Sequence, residues 1–110
     1  YDLAFINIEE LQIPARMAYS THVFHQYTLK VKDGRRDELK AYLSDHGMPS
    51  MIYYPIPLYK QKAFEQFTDV THLPITEQLC KEVISLPIHT EMAVEDVKYI
   101  CDKVVAFFKD

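Results

Sequence analysis

The sequence predicts a two-layer α/β (α+β) sandwich, in which a small sheet carries helices on one face. Short segments rich in β-branched and aromatic residues alternate with helical patterns. The strands are too few and too short for a doubly wound sheet. The length of 110 residues is typical of one domain with its own core. A sheet covered by helices on one face leaves its other face to be covered by something else.

The first half of the chain predicts a lead-in, a strand and a helix. Residues 1–21 have no clear period and contain a proline, so we expect the end of a helix and then an irregular segment. HVFHQYTLKV, at 22–31, alternates in polarity and contains no breaker, which predicts a strand. Apolar residues at helical spacing predict a helix at 35–46, with Asp33 as its cap and Gly47 as its stop.

The second half continues this alternation. MPSMIYY, at 48–54, is predicted as a strand bounded by prolines, and a short helical piece follows at 61–67. A helix that begins at a proline is expected at 74–81, and VISLP, at 83–87, is predicted as a short buried strand. The last helix is expected at 94–109. Its predicted buried stripe consists of Val94, Val97, Cys101, Val104 and Phe108, and is widened by Ile100, Val105 and Phe107.

Composition excludes several classes of function. A formal net charge of −4 argues against nucleic acid as a partner, and two glycines exclude glycine-rich phosphate loops. The basic cluster at 30–40 is interspersed with acids, which is typical of a solvated face. Cys80 and Cys101 lack disulfide-framework or metal spacing, so we expect free thiols in a reducing cytoplasm. No apolar run approaches the ~20 residues of a membrane helix, so no membrane partner is expected.

No sequence motif for catalysis or metal binding is present. The five histidines form no HExxH or Cys/His cluster, and no nucleophile signature such as GxSxG occurs. Each histidine is expected to be a hydrogen-bonded structural residue. Taken alone, the chain has no recognisable catalytic apparatus. We expect it to provide residues that line a binding site.

The segment SMIYYPIPLYKQKAF, at 50–64, is the best candidate for a binding surface. Its prolines stiffen the backbone, so Tyr53, Tyr54 and Tyr59 would be presented with little conformational entropy left to lose. A tyrosine joins an apolar ring to a hydroxyl that donates and accepts hydrogen bonds, which suits polyhydroxylated ligands such as sugars. The alternative is that these rings pack over the small sheet, and composition leaves both open. Residues 53–59 are called the tyrosine loop below.

Three motifs together resemble the C-terminal small domain of the DegT/DnrJ-type sugar aminotransferases. They are HVFHQY at 22–27, YYPIPLYKQKAF at 53–64 and LPITEQLCKEVISLP at 73–87. These enzymes use pyridoxal phosphate, have the aspartate aminotransferase fold and act on nucleotide-linked keto-sugars. The resemblance implies a mainly antiparallel sheet. It also implies that residues 1–21 are the end of an interdomain helix with an irregular lead-in, and that residues 22–110 are the small domain.

The resemblance implies substrate contacts as well. In this family the segment that corresponds to the tyrosine loop covers the active site and contacts the sugar. The resemblance therefore implies that Tyr53, Tyr54 and Tyr59 are substrate-binding residues. His25 matches the family's strand, where it is either a fourth contact or a structural residue. The family pattern usually has histidine at positions 53 and 59, and the tyrosine at 53 removes a titratable cation, which favours a neutral sugar. The form YYPIPL is most similar to members that aminate C3 of UDP- or dTDP-linked 3-keto-sugars.

The reacting groups are implied to lie outside this chain. The family's Schiff-base lysine, its aspartate at the pyridine nitrogen and its phosphate-binding groups belong to the large domain, and no lysine here matches that motif. We therefore expect a cytoplasmic, homodimeric parent enzyme for surface-polysaccharide or deoxy-aminosugar biosynthesis. This chain, which begins at Tyr1 without a methionine, is expected to be an excised or processed piece. It is expected to hold no cofactor or metal and to be inactive alone. The alternative is a non-catalytic sugar-binding or regulatory module with the same fold.

Overall fold

A three-stranded antiparallel sheet, in the order β1–β2–β3, organises the molecule. The computed structural model describes residues 1–109. The strands are β1 (Leu11–Gln12), β2 (Tyr27–Val31) and β3 (Val83–Leu86). Leu11 pairs with Val31, and Tyr27 pairs with Leu86. The predicted antiparallel α+β class is therefore confirmed.

Helices flank the sheet at the positions that the sequence predicts. Within residues 1–109 the α-helices are α1 (Asp2–Phe5), α2 (Arg36–Asp45), α3 (Pro74–Glu82) and α4 (Val94–Phe107). Two short 3₁₀ turns, Leu58–Lys60 and Glu65–Phe67, lie between α2 and α3. The predictions of α2, α3 and α4 are confirmed, with bounds that differ by one or two residues, as helix ends commonly do.

The core lies on one face of the sheet. Tyr27, Leu29 and Val31 are buried and alternate with the half-buried Thr28 and Lys30, which is the two-residue period of a strand with one buried face. The same core contains Phe5, Leu11, Leu39, Leu43, Met48, Ile84, Leu86, Ile100 and Val104. Since this set includes side chains of α1, α2 and α4, those helices pack on that face.

The other face of the sheet is polar at its centre. Thr28 on β2 and Ser85 on β3 are directly paired, and their hydroxyl oxygens are 2.8 Å apart in a hydrogen bond. Ser85 is buried, so this bond satisfies a hydroxyl that water does not reach freely.

The predicted strand at 22–31 is wrong in its first half. The strand begins at Tyr27, because Phe24 has φ of 50°, a left-handed conformation that breaks extended pairing. The predicted strand at 48–54 is also wrong, because the structure has there an isolated bridge in which Met51 and Ser85 exchange hydrogen bonds of 3.0 and 2.8 Å. β1 was not predicted and lies inside the segment expected to be irregular.

The predicted stop of α2 at Gly47 is confirmed, but its predicted cap is wrong. Arg35, not Asp33, is the N-cap. At the other end Gly47 has φ of 73°, and its N–H bonds to the Ser44 carbonyl at 2.9 Å. The N–H of the buried Met48 bonds to the carbonyl of Leu43, also at 2.9 Å, which completes a Schellman stop.

Two further expectations about burial need correction. Val94 is 78% exposed, so the buried stripe of α4 begins later and is carried by Ile100 and Val104. The basic cluster is not wholly a solvated face, because Arg36 is only 7% exposed. Cys80 and Cys101 are free thiols, as predicted.

Candidate functional site

A cavity of about 320 Å³ lies at the end of the sheet where β2 begins and β3 ends. Antiparallel pairing of Tyr27 with Leu86 places the residues before β2 next to those after β3, and the Met51 bridge adds a third wall. Its polar lining consists of His25, Gln26, Ser50, Tyr53, Ser85 and His89. Among the described residues, no lysine, arginine, aspartate or glutamate lines this cavity.

The cavity brings together two of the four predicted site residues, His25 and Tyr53. Tyr53 is 50% exposed, so its ring stands at the rim. His25 lies in the bend before β2 and not on the strand, and the turn in the backbone at Phe24 directs the chain to this position. The imidazole and the phenol both donate and accept hydrogen bonds, so the cavity can bind a polar, uncharged group.

Tyr54 lies outside the lining of this cavity. Its side chain is 69% exposed and follows Tyr53 at the entrance to the two prolines of the tyrosine loop. A ring with this exposure presents most of its surface outward, so it suits contact with a group that approaches the loop from outside.

Tyr59 uses its hydroxyl inside the molecule. The hydroxyl donates to Oε1 of Glu77 on α3 and accepts a bond of 3.2 Å from the backbone N–H of Leu73. The Tyr59 hydroxyl thus has intramolecular partners, whereas Tyr53 stands at the rim of the cavity. The substrate contact of both residues stays a prediction.

Glu77 was not predicted from the sequence as a residue of the site, yet it has several bonded partners. Lys60 Nζ lies 3.0 Å from its Oε2, and His72 Nδ1 lies 2.9 Å from its Oε1. The hydroxyl of Tyr59, followed by these two side chains and the N–H of Leu73, holds the pKa of the Glu77 carboxyl well below its usual range. The carboxylate is therefore ionised at neutral pH.

Other lining residues were also missed, and one signal could have found them. Gln26, Ser85 and His89 line the cavity, yet His89 was expected only to be a hydrogen-bonded structural residue. HVFHQY, at 22–27, leads into β2, and SLPIH, at 85–89, includes the end of β3. The residues at 25–26 and 88–89 are therefore neighbours once antiparallel pairing of the two strands is assumed.

A second cavity, of about 370 Å³, lies near the first helix. Here Asp2 accepts a hydrogen bond from the hydroxyl of Tyr27 at 2.6 Å and pairs with Arg16, whose guanidinium carbon is 4.3 Å from the centre of the Phe24 ring. Burial, followed by the bond to Asp2, raises the pKa of Tyr27 far above its ordinary value. Asp2 thus binds two other polar residues of this lining, Arg16 and Tyr27.

Two kinds of site are missing from the described part of the chain. No group of three or more His, Cys, Asp or Glu side chains there could hold a metal ion. Between residues 1 and 109, every helix is too short or too polar to cross a membrane.

A model of the DegT/DnrJ/EryC1/StrS aminotransferase family matches residues 1–105. The chain belongs to this family. The expected family is therefore confirmed, and the match covers the sheet, the tyrosine loop and all four helices except the final residues of α4.

This family member is similar to curated relatives that are much longer. It is 41% identical over 91 residues to the UDP-N-acetyl-3-dehydro-alpha-D-glucosamine 3-aminotransferase of Acidithiobacillus ferrooxidans, covering 83% of this chain and 24% of that protein. It is 39% identical over 89 residues to a "pleiotropic regulatory protein" of Geobacillus stearothermophilus, covering 80% of this chain and 23% of that protein. The chain thus spans about a quarter of the length of these relatives.

A solved structure supports the same fold. A DegT/DnrJ/EryC1/StrS aminotransferase from Brucella abortus matches with a TM-score of 0.86 and 29% sequence identity. The match covers 99% of this chain and 28% of that chain.

The aminotransferase family implies pyridoxal phosphate, and the described residues do not fit this cofactor by themselves. A Schiff base requires a lysine amine inside the site. Neither described cavity is lined by a lysine. The Nζ of Lys40 instead bonds to the carbonyl of Ser50 at 3.0 Å, and that of Lys60 pairs with Glu77. No chemical step through the cofactor follows from the described residues.

Proposed function

We propose that this chain is the small domain of a pyridoxal-phosphate-dependent aminotransferase that acts on a nucleotide-linked keto-sugar. The observation that supports the proposal most is that the family match spans residues 1–105, while the chain spans about a quarter of its relatives. In this proposal residues 1–21 are the end of an interdomain helix with its lead-in, and residues 22–110 are the C-terminal small domain. A large domain of the same polypeptide holds the cofactor, and the parent enzyme is a homodimer.

In the parent enzyme this domain covers the active site and contacts the sugar. His25 and Tyr53 support this role because they share a cavity whose lining, among the described residues, carries no lysine, arginine or carboxylate. Side chains that both donate and accept suit sugar hydroxyls, and a tyrosine at 53 in place of a titratable histidine favours an uncharged ring over a uronate. Tyr54, on the exposed part of the tyrosine loop, also contacts the sugar. Tyr59, whose hydroxyl bonds to Glu77, offers its half-exposed ring.

The position of the new amino group is proposed to be C3. The relative from Acidithiobacillus ferrooxidans is, by its name, a 3-aminotransferase of a UDP-linked 3-dehydro sugar. The YYPIPL form of the tyrosine loop favours the same subgroup. The parent is therefore proposed to aminate a UDP- or dTDP-linked 3-keto-sugar.

A substitution in the full-length parent tests the sugar contact. Because Tyr53→Phe and Tyr54→Phe each remove one hydrogen bond to the sugar, we expect each to lower kcat/KM for the keto-sugar by roughly 3- to 10-fold. Tyr19→Phe is the matched control, because Tyr19 is 87% exposed and lies outside both cavities. If both loop variants have the kcat/KM of the control, the sugar contact is wrong.

A cofactor-binding experiment tests whether the chain is inactive alone. The 110-residue protein is mixed with pyridoxal phosphate, and its absorbance is recorded before and after borohydride, with free lysine as the control for unspecific reaction. We expect no more reaction than in the control, because neither described cavity supplies a lysine amine. A reducible adduct on one particular lysine would show that the chain holds its own cofactor.

The second candidate function is a non-catalytic sugar-binding or regulatory module. The name of the relative from Geobacillus stearothermophilus, a pleiotropic regulatory protein, favours it. The two functions are separated by reading the gene upstream of the codon for Tyr1. An open frame that encodes a large domain with a Schiff-base lysine supports the aminotransferase, and a start codon directly before Tyr1 supports the module.

A further inference from the structure

Glu77 accepts hydrogen bonds from donors at both ends of residues 59–73, the segment that precedes α3. At the beginning of that segment, the hydroxyl of Tyr59 donates to Oε1, and Lys60 Nζ lies 3.0 Å from Oε2. At its end, His72 Nδ1 and the N–H of Leu73 lie 2.9 and 3.3 Å from Oε1. The side chain of Glu77 is only 18% exposed, so these partners, and not water, fill most of its surroundings. The carboxylate of Glu77 therefore holds the two ends of residues 59–73 close together.

The same contact point is connected to the tyrosine loop through a short, stiff segment. Pro57 is buried, and its carbonyl accepts the N–H of Lys60 at 2.9 Å. The side-chain amide of Gln61 donates to the carbonyl of Ile56 at 3.3 Å. With prolines at 55 and 57, the backbone between Tyr54 and the bonded Tyr59 has few conformations left. A segment with little conformational freedom therefore connects Tyr59, bonded to Glu77, to the two tyrosines that precede the prolines.

We propose that Glu77 is a positioning residue, whose carboxylate holds the backbone of Tyr53 and Tyr54 rigid relative to the cavity. The importance of this for turnover rests on the proposed function, but the position of the loop does not. The geometry requires a carboxylate, because it offers two acceptor oxygens and no donor. A glutamine in the same place would have one acceptor oxygen, and its amide hydrogens would face other donors such as the ammonium of Lys60.

The ionisation of Glu77 agrees with this role. Hydrogen bonds to an ionised acceptor are about twice as strong as those between neutral groups. The Tyr59 hydroxyl, then Lys60 and His72, keeps the pKa of the carboxyl well below its usual range, and the same partnership raises the pKa of Lys60. Both members of the ion pair are thus charged across the physiological range.

Backbone ¹⁵N relaxation of the 110-residue protein tests the proposal without any substrate. We expect the order parameters of Tyr53 and Tyr54 to be near 0.85 in the native protein and to fall below about 0.6 in Glu77→Gln. The matched control is Glu82→Gln on the same helix, where the native carboxylate accepts a bond from Gln78 at 2.9 Å. It should leave the tyrosine loop at the native values.

Unchanged order parameters at both tyrosines in a folded Glu77→Gln protein would overturn the proposal. If that variant does not fold, Tyr59→Phe and Lys60→Met decide the question, because each removes one partner without altering α3. Raised mobility of Tyr53 and Tyr54 in either variant supports the proposal, and native mobility in both rejects it. Because no sugar is present, this result is separable from the kinetic test of the sugar contact, and either can fail while the other stands.

Discussion

Nη1 of Arg36, on α2, donates a hydrogen bond of 3.0 Å to the backbone carbonyl of Cys80, near the end of α3. The same nitrogen donates to the carbonyl of Val83 at 3.2 Å, where α3 passes into β3 without a loop. The last carbonyls of a helix have no partner within it. Arg36 therefore supplies the donors that this helix-to-strand junction lacks. The same bonds hold α2 against the junction.

Loss of this guanidinium is expected to destabilise the fold. Arg36→Met keeps most of the side-chain volume but leaves two carbonyls at the junction without their charged donor, which should cost about 1.5–3 kcal/mol in the free energy of unfolding. Urea denaturation measures this difference. Lys98→Met is the control, since Lys98 is exposed and forms a 3.4 Å surface pair with Asp102, so its effect should stay within about 0.5 kcal/mol. Equal losses in the two variants would show that the junction does not depend on Arg36.

A hydroxyl at the start of the last helix is expected to stabilise the protein. Ala93 is the N-cap of α4, with φ of −67° and ψ of 149°, an extended conformation that suits a capping residue. Because a serine oxygen can accept from the free N–H groups of the first turn, Ala93→Ser should add about 0.5–2 kcal/mol, or several degrees in Tm. Calorimetry of Ala93→Ser against Ala41→Ser, a change at an exposed interior position of α2, measures the gain. The control should lose rather than gain stability, and an unchanged Tm in Ala93→Ser would place the cap elsewhere.

Stability is expected to depend on acid through Glu77. The folded-state pKa of this carboxyl is depressed, so its contribution is fully present above the unfolded value of about 4.3 and is lost as the pH falls toward the folded value. The native protein should therefore lose more stability between about pH 5 and pH 3 than Glu77→Gln does. Urea denaturation at each pH gives both curves. Parallel curves for the two proteins over this range would contradict the assignment.

The raised pKa of Lys60 predicts the opposite dependence at alkaline pH. A raised folded-state pKa gives stability that is present below the unfolded value of about 10.4 and is lost as the pH rises through the folded value. Lys60→Met should remove this alkaline loss, while Lys62→Met, two residues further along, should not.

The pair of hydroxyls between β2 and β3 is expected to behave as a coupled unit. Thr28→Val leaves the buried hydroxyl of Ser85 without its 2.8 Å partner, which should cost about 1–3 kcal/mol. Removing both hydroxyls in Thr28→Val with Ser85→Ala should cost less than the sum of the two single changes, because no unsatisfied group remains. The double-mutant cycle measures the difference. Strict additivity would mean that each hydroxyl acts independently.

Much of the regular structure could be predicted because its signals are local. The helical spacing before Gly47 and the proline at the start of α3 act within a few residues, so the helices were predicted nearly to their ends. The antiparallel class and the family followed from motifs distributed along the whole chain, and both are confirmed. Of the four residues expected to contact the substrate, His25 and Tyr53 share the cavity, and the substrate contact itself stays a prediction.

The sequence by itself determined which segments of this chain are helical, which face of β2 is apolar, and to which family the chain belongs, since periodicity, stop signals and motifs are properties of neighbouring residues. Only the tertiary structure decided that Phe24 turns the chain before β2, that His89 joins His25 at one cavity, and that Tyr59 gives its hydroxyl to Glu77, 18 residues away. These are long-range choices. Each depends on which segments meet when the core closes, and hydrogen-bonding side chains such as tyrosine take whichever partner that closure places within reach.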